Sequence, residues 1–439
     1  MMPNRPALVL APRRGIAALT VVMILFFVMA MVAAYTNRNL VFEQRISANS
    51  YRSNRALEAA DAGVEWTVAM LNAGRVDGNC QPSTNLAFAD FRSRYLQDSV
   101  DETNGEGGYE LEWGASRNNR VYPACIIRNG ALACVCPSMG GAVADIGAPA
   151  DGIGSAFRIE FLLPGNAVRA GAMEFAARGC SNPGAGASAC TSQTHDVLPT
   201  VDGLSGALTT VGLVRALPVP PKAALTTGGL VTATAGELQV RNPDNNSGLT
   251  VHAGGNINAS GTSAFAGPAG SGSDGRLAND GDLAALAIQA NEGWFRSLFG
   301  MDSATYQRQP AVVRVDCAAG CTLAALNNAL AGYPRNPIWV NGNLNIDTVA
   351  NLGSAIDPLM LIVTGTLTVS ANATVRGFVH ANDVVWTSAA TLEGALVSAT
   401  TFNASAVATL SYDRSMMDII RLRYGSFVRA PGSWNLTVF

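Results

Sequence analysis

The chain has 439 residues, room for two or three domains, and only 14% of them are charged while 48% are apolar; ordinary soluble domains carry about 25% charge. Net charge is −3 and Lys222 is the sole lysine, so no basic patch is available for a nucleic-acid backbone and nucleic acid is excluded as a partner. Low charge with 45 glycines suits a β-rich exported chain, in which eight cysteines read as disulfides rather than as metal or redox groups.

Residues 1–15 form a basic leader with Arg5, Arg13 and Arg14 and no acidic residue. Ile16 to Tyr35 then runs without a charge, and about 20 apolar residues at 1.5 Å each match the roughly 30 Å hydrocarbon core of a bilayer. The arginines place the leader on the cytoplasmic side and the bulk of the chain across the membrane. A secretory signal cut after Ala34 is one reading of this run, although signal cores are usually about 7–15 residues; an uncleaved anchor is another. The third rests on Arg13-Arg14-Gly15 followed directly by Ile16-Ala17-Ala18-Leu19, which looks like a prepilin junction, cut after Gly15. Most major pilins carry Glu at the fifth mature position, where this chain has Thr20.

The pattern predicts that the helix runs on from residue 36 to about 75. Gly63 is its one interruption and Gly74 a stop, and Leu57, Val64, Val68 and Leu71 share one face. From Ile16 to Ala73 such a helix measures on the order of 87 Å. Within it, Glu58-Ala59-Ala60-Asp61-Ala62-Gly63 resembles the alanine-rich acidic stretch of the PilX N-terminal family of type IV pilus minor pilins. The similarity covers roughly residues 13–75, and the ending Pro431-Gly-Ser-Trp434 is similar to the Gly-Ser-Trp close of such proteins. The resemblance implies a processed, methylated Ile16, other minor pilins, the pilus assembly machinery, a prepilin peptidase and the inner membrane as partners, and no catalysis. It also implies insertion in the inner membrane of a Gram-negative bacterium, with the rest of the chain periplasmic and then on the pilus. Thr20 in place of Glu resembles tip or priming subunits more than shaft subunits. The competing functional readings are a type II secretion pseudopilin and a membrane-tethered adhesin whose surface or host ligand the sequence does not name.

Residues 76–204 read as a β-rich head. Gly108–Trp113 and Ala156–Leu163 alternate as half-buried strands do, and Val121–Cys136 holds two apolar runs around Asn129-Gly130, a hairpin signal. Cys180 and Cys190 flank a small-residue loop that a disulfide would close. Cys80 has Cys125, Cys134 or Cys136 as partners, and Cys317 with Cys321 is a tight candidate pair. Zinc at Cys134, Cys136 and His195 lacks a known ligand spacing.

Residues 205–439 carry a weak repeat. Thr227–Ala233, Val251–Asn258, Ile338–Ile346 and Leu361–Val369 share a strand–turn–strand form, and Ala373-Thr-Val-Arg-Gly377 returns as Ala390-Thr-Leu-Glu-Gly394 and loosely as Ala408-Thr-Leu410. This spacing predicts a β-solenoid-like domain, with a twisted β-sandwich as the competing reading. Helices are expected at Asp282–Phe299, Thr322–Leu330 and Ser415–Tyr424, the last capping the solenoid. The whole is α+β: a long N-terminal helix, a β-rich head and a mostly β C-terminal domain.

Enzymatic chemistry finds little to stand on. His380, Asp383 and Glu393 fall in neighbouring repeats, and His252 sits in a strand–turn, but there is no P-loop, no G-x-S-x-G and no dinucleotide fingerprint. No cofactor or metal is expected; Asp244-Asn245-Asn246 and Asp274–Asp282 are the minor calcium candidates and lack EF-hand spacing.

Overall fold

One helix, Gly15–Leu71, takes up the first 57 residues described, about 86 Å of rod. The computed structural model describes residues 15–101, 106–111, 121–128, 130–138, 154–162, 171–181, 203–234, 236–259, 264–270, 274–288 and 292–437. Every helix side chain from residue 18 to residue 51 is exposed. Burial begins at Ala56 and follows the helical repeat through Ala59, Ala60, Val64, Thr67, Met70 and Leu71. The expected face is therefore shifted: Val64 and Leu71 are buried, while Leu57 and Val68 are only half-buried. The buried stripe is dominated by small residues because a sheet backbone lies directly on it. Gly179 is its closest point, where even a methyl group would collide with the Ala56 carbonyl and the Ala60 backbone.

That sheet has seven strands, all antiparallel. Its order is Gly425–Arg429, Gly203–Arg215, Ala172–Ser181, Ser155–Leu162, Ala124–Arg128, Ala131–Val135, with Asn435–Thr437 also on Gly203–Arg215. Its helix-side core is aromatic. Trp66 of the helix sits 5.6 Å from both Phe91 and Phe157, and Tyr95 stacks on Phe161 at 5.5 Å. Two disulfides bind this head: Cys80 to Cys136, and Cys125 to Cys134 across the hairpin. Cys180 is also disulfide-bonded, and Cys190 lies outside the described residues. Residues Leu96–Asp101 and Glu106–Leu111 form a separate two-stranded ribbon.

The boundary expected at 204/205 falls inside the strand Gly203–Arg215, and the C-terminal strands return to the same sheet. The head thus closes only when the end of the chain arrives. Gly203–Arg215 was hard to recognise because Gly, Ser and Thr fill much of it, and the apolar alternation is correspondingly faint.

Between these strands the chain winds through three ladders of parallel strands. The first ladder stacks Val313–Cys317, Ile338–Gly342, Leu359–Val363, Gly377–Ala381, Leu396–Ser398, Ala223–Thr227 and Leu249–Ala253 in that order, and ends on Arg276–Leu277. The second passes through Leu344–Ile346, Thr366–Val369, Val384–Trp386, Phe402–Ala404, Val231–Ala233 and Ile257–Ala259. The third passes through Ala350–Leu352, Ala373–Val375, Ala390–Glu393, Ala408–Ser411, Leu238–Arg241 and Ala264–Ala266. Successive strands of one turn join different ladders, so each circuit climbs one level. Alternate side chains such as Val340, Leu361, Val379, Leu396, Leu225 and Val251 fill the interior.

The 17-residue repeat is the register of this stack: Thr374 to Gly377 pair residue for residue with Thr391 to Gly394, and Thr391 with Thr409. Both glycines have positive φ, 142° and 133°, and a side chain on Gly394 would strike the Gly377 carbonyl one level away. Turn order does not follow chain order. The last turn, residues 396–411, lies against the first, residues 225–241.

Around the coil, the expected helix Asp282–Phe299 is two helices, Gly281–Ile288 and Glu292–Phe299. The second folds back so that Gly293 meets Leu286, while Glu292 accepts the Ser303 amide at 3.1 Å. Leu323–Gly332 follows Thr322, and Arg414–Arg423 is capped by Asp413, which accepts the Met416 amide at 3.0 Å. This last helix does not cap an end of the stack. It lies along its side, against Ala373–Trp386, Ala390–Ser398 and the head strand Gly203–Arg215, and its buried Met416, Met417 and Ile420 share one face and join the coil's core.

Candidate functional site: the spine helix and its flank

The exposed half of the helix combines two surfaces. Leu19 to Met31 presents an exposed apolar skin interrupted at Thr20, with Val32 and Tyr35 above it; it is long and apolar enough to cross a membrane, and none of that window is buried among the described residues. Gly15 starts the helix. Thr20, the position of the usual pilin glutamate, is exposed on this skin; Arg5, Arg13 and Arg14 lie outside the described residues.

Above the apolar skin the helix is charge-polarised. Residues 36–55 carry Arg38, Arg45, Arg52 and Arg55 against Glu43 alone, and residues 56–71 carry Glu58, Asp61 and Glu65 with no basic residue. Leu40, Phe42, Ile46 and Tyr51 are exposed among the arginines, and the Arg38 guanidinium lies 5.5 Å over the Phe42 ring. Glu58 pairs with Arg55 at 3.4 Å and Glu65 with Arg429 at 2.9 Å. Asp61 makes no ion pair or hydrogen bond among the described residues.

The structure divides the six motif residues by face. Ala59, Ala60 and Gly63 are buried against the sheet, whereas Glu58, Asp61 and Ala62 are exposed. It also brings the two ends of the chain's motif pattern together. The turn Pro431–Trp434 is pinned by Ser433, whose hydroxyl donates to Ala430 O at 2.7 Å and lies 3.0 Å from Thr210 O. That turn and Arg429 enclose a notch of about 380 Å³ against Asp61, and Trp434 stands 40% exposed at its rim.

The remaining candidates do not converge. His380 is buried under Phe295 and Phe299, at 5.3 and 5.9 Å between ring centres. Asp383 accepts from Thr401 at 2.8 Å and from Thr400 and Asn382, and Glu393 pairs with Arg376 at 2.7 Å. Asp274 is held by Arg276, whose hydrogen bond lowers its pKa. Asp280 takes a 2.7 Å contact from His252, which holds its carboxyl below the usual range, and it also caps the helix at Leu283. The calcium candidate Asp244 turns onto Asn246 and Arg414. Cys134 and Cys136 are both in disulfides, and His195 lies outside the described residues. Cys317 is bonded to Cys321 at the edge turn of the coil. Among the described residues no group of three or more His, Cys, Asp or Glu side chains is placed to hold a metal ion. A cleft of about 940 Å³ between the helix end and the edge strand, lined by Asn72, Arg314, Tyr333 and Asn336 among others, brings together no nucleophile and base.

Sequence reasoning missed the residues that fix the helix to both halves. Asn72 Nδ2 donates to Phe427 O at 2.9 Å and its Oδ1 accepts the Phe427 amide at 2.8 Å. Asn336 Nδ2 donates to Asn72 O and Ala311 O, and Arg92 donates to Leu71 O and Gly425 O. A lone Asn after a helix carries no signal of such a task.

Residues 14–65 match the PilX N-terminal family. The spine helix is similar to that family's N-terminal segment as far as Glu65. The chain is therefore type IV pilin-like over its spine, and the match ends two residues beyond the buried Gly63. No curated protein sequence matches the chain. Among solved structures, the competence-associated pilin ComZ from Thermus thermophilus is similar at 10% identity, covering 88% of this chain and 97% of that one with a TM-score of 0.22, a likeness too low to carry an argument. The apolar helix and the family fit a membrane-anchored, pilus-associated protein.

Proposed function

We propose that this chain is a minor pilin that is cut between Gly15 and Ile16, held in the inner membrane by residues 16–35, and drawn into a pilus as a tip or initiation subunit. The observation that carries this reading is the PilX N-terminal helix, bare and apolar over its first half and docked by small residues over its second. Partners are other minor pilins, packed along the helix through apolar contacts, together with the assembly machinery and the prepilin peptidase. Thr20 supports the end position: a buried carboxylate needs a neighbour to neutralise it, and a subunit with nothing above it has no such neighbour. The coil is the part displayed. The chain itself catalyses nothing in this reading.

Mass spectrometry of the N-terminus of membrane-extracted protein tests it. A start at methylated Ile16 is expected; an intact leader, or a start at Tyr35, overturns the proposal.

A further inference from the structure

The first ladder begins on a strand with a single neighbour. Val313–Cys317 pairs with Ile338–Gly342 on one side and, among the described residues, with no strand on the other. The Val313 amide donates to Pro337 O at 2.9 Å, and successive residues of a strand turn their backbone groups to opposite edges. The amides and carbonyls of Val313 and Val315 are thus committed to the stack, and those of Arg314 and Asp316 face the free edge. That edge is one wall of the cleft of about 940 Å³, whose other walls include Ala69 and Ala73 at the end of the spine helix and Tyr333.

Proteins usually blunt an open edge with proline, a bulge, a cover or like charges. Here no proline falls within Val313–Cys317, the register shift comes only after Cys317, and the cleft leaves the edge open. The charges on it are of both signs. Arg314 and Asp316 are exposed, two residues apart, and Arg314 makes no ion pair or hydrogen bond among the described residues. A strand with the signs reversed is attracted rather than repelled. The walls are also fixed in advance. Asn336 donates to Ala311 O at 2.8 Å and to Asn72 O at 3.3 Å, and Ser426 Oγ accepts the Ala311 amide at 3.0 Å. A groove already built costs an incoming segment less ordering. Free N–H and C=O groups along an open edge are matched by another extended backbone.

We propose that the cleft takes an extended peptide segment of a partner protein, added to Val313–Cys317 as a further strand, with an acidic residue opposite Arg314 and a basic one opposite Asp316. This stands whether or not the chain enters a pilus.

The test pans a random heptapeptide library displayed on phage against the full chain in detergent. Enriched sequences should place an acid and a base two residues apart in one order, and the double variant Arg314→Asp, Asp316→Arg should reverse that order. The enriched peptide, synthesised and added at saturation, should slow exchange of the Arg314 and Asp316 amides at least tenfold and leave those of Val313 and Val315 within twofold. Arg314→Pro removes one outward amide and no ladder bond, so it should bind the peptide at least tenfold more weakly than Arg314→Ala; unchanged exchange in residues 338–342 checks that the stack is intact. No enriched sequence, an order that the swap leaves unmoved, protection elsewhere, or equal binding by the proline and alanine variants would each overturn the proposal. Hits on an array of neutral glycans with none in the peptide library would overturn it too, by giving the cleft to a saccharide.

Discussion

Gly179→Ala should undock the spine helix. A Cβ at Gly179 would stand inside the van der Waals shells of the Ala56 carbonyl oxygen and the Ala60 amide nitrogen and 3.0 Å from Ala60 Cα, where carbon contacts settle at about 3.5–4.0 Å. All three atoms are backbone, so no side chain can swing aside and the helix must retreat by on the order of 1 Å. That retreat would loosen the close contact of Gly63 with the Phe157 ring and the packing of Val64 in the aromatic core. Overpacking of this kind costs about 1–3 kcal/mol, and the lost contacts put the total at the upper end. About 3 kcal/mol corresponds to a rise of more than a hundredfold in the local opening constant. Hydrogen-exchange mass spectrometry of the full chain in detergent, read on peptides spanning 52–71 and 172–181, measures it. Gly212→Ala is the control, since a Cβ there meets no atom within 4 Å. A Gly179→Ala protein whose exchange matches the control would refute the account of why this helix stripe is made of small residues.

Asn72→Ala should strip the Phe427 backbone of both its side-chain partners and destabilise the returning strand by about 2–4 kcal/mol, seen as faster exchange in residues 425–429; protection within threefold of the parent would count against it. His380 is 2% exposed and burial pushes its pKa down to about 4, so the unfolded chain binds the proton first. Its stabilising effect is full above about pH 6.5 and is lost as pH falls to about 4, a change of roughly 3 kcal/mol in the coil. His380→Phe should flatten the acid limb of a pH–stability curve, and an unaltered slope would show that another group controls it. Replacing Cys80 and Cys136 by Ser reopens a loop of sequence separation 56 and should lower head stability by about 4 kcal/mol; urea midpoints equal to the parent's would contradict that.

The parts of this molecule written in local pattern were legible in its sequence. The apolar run and the helix beyond it show their periods directly, and the match of Ala373–Gly377 to Ala390–Gly394 was the coil's own register; the strand at Ala156 was visible by its alternation, but it is buried on both faces and not half-buried as that alternation implies, Arg158 and Glu160 included. What stayed hidden depends on partners far along the chain. Nothing near Leu225 says that Leu396 will lie beside it, and nothing in the glycine- and threonine-rich stretch 203–215 says that the terminal strands will pair with it. The motif at 58–63 was visible as letters, but its division into a buried Ala59, Ala60 and Gly63 and an exposed Asp61 needed the sheet. The notch against Asp61 joins residues from opposite ends of the chain, and such neighbours have no sequence signature.

The incoming strand Gly203–Arg215 and the outgoing strand Gly425–Arg429 are hydrogen-bonded neighbours, with Arg215 opposite Gly425, about one strand spacing or 5 Å apart. The coil is in that sense a cassette hung from two adjacent hooks. The Val313–Cys317 end of the stack starts beside the outgoing hook, where Ser426 Oγ accepts the Ala311 amide at 3.0 Å. A pull on the coil reaches the head at the same end of two paired strands and passes from them to the helix through Asn72 and Arg92. The load is thus shared between a few polar side chains at the helix end, Asn72 and Arg92 among them, and the small-residue stripe packed on the sheet.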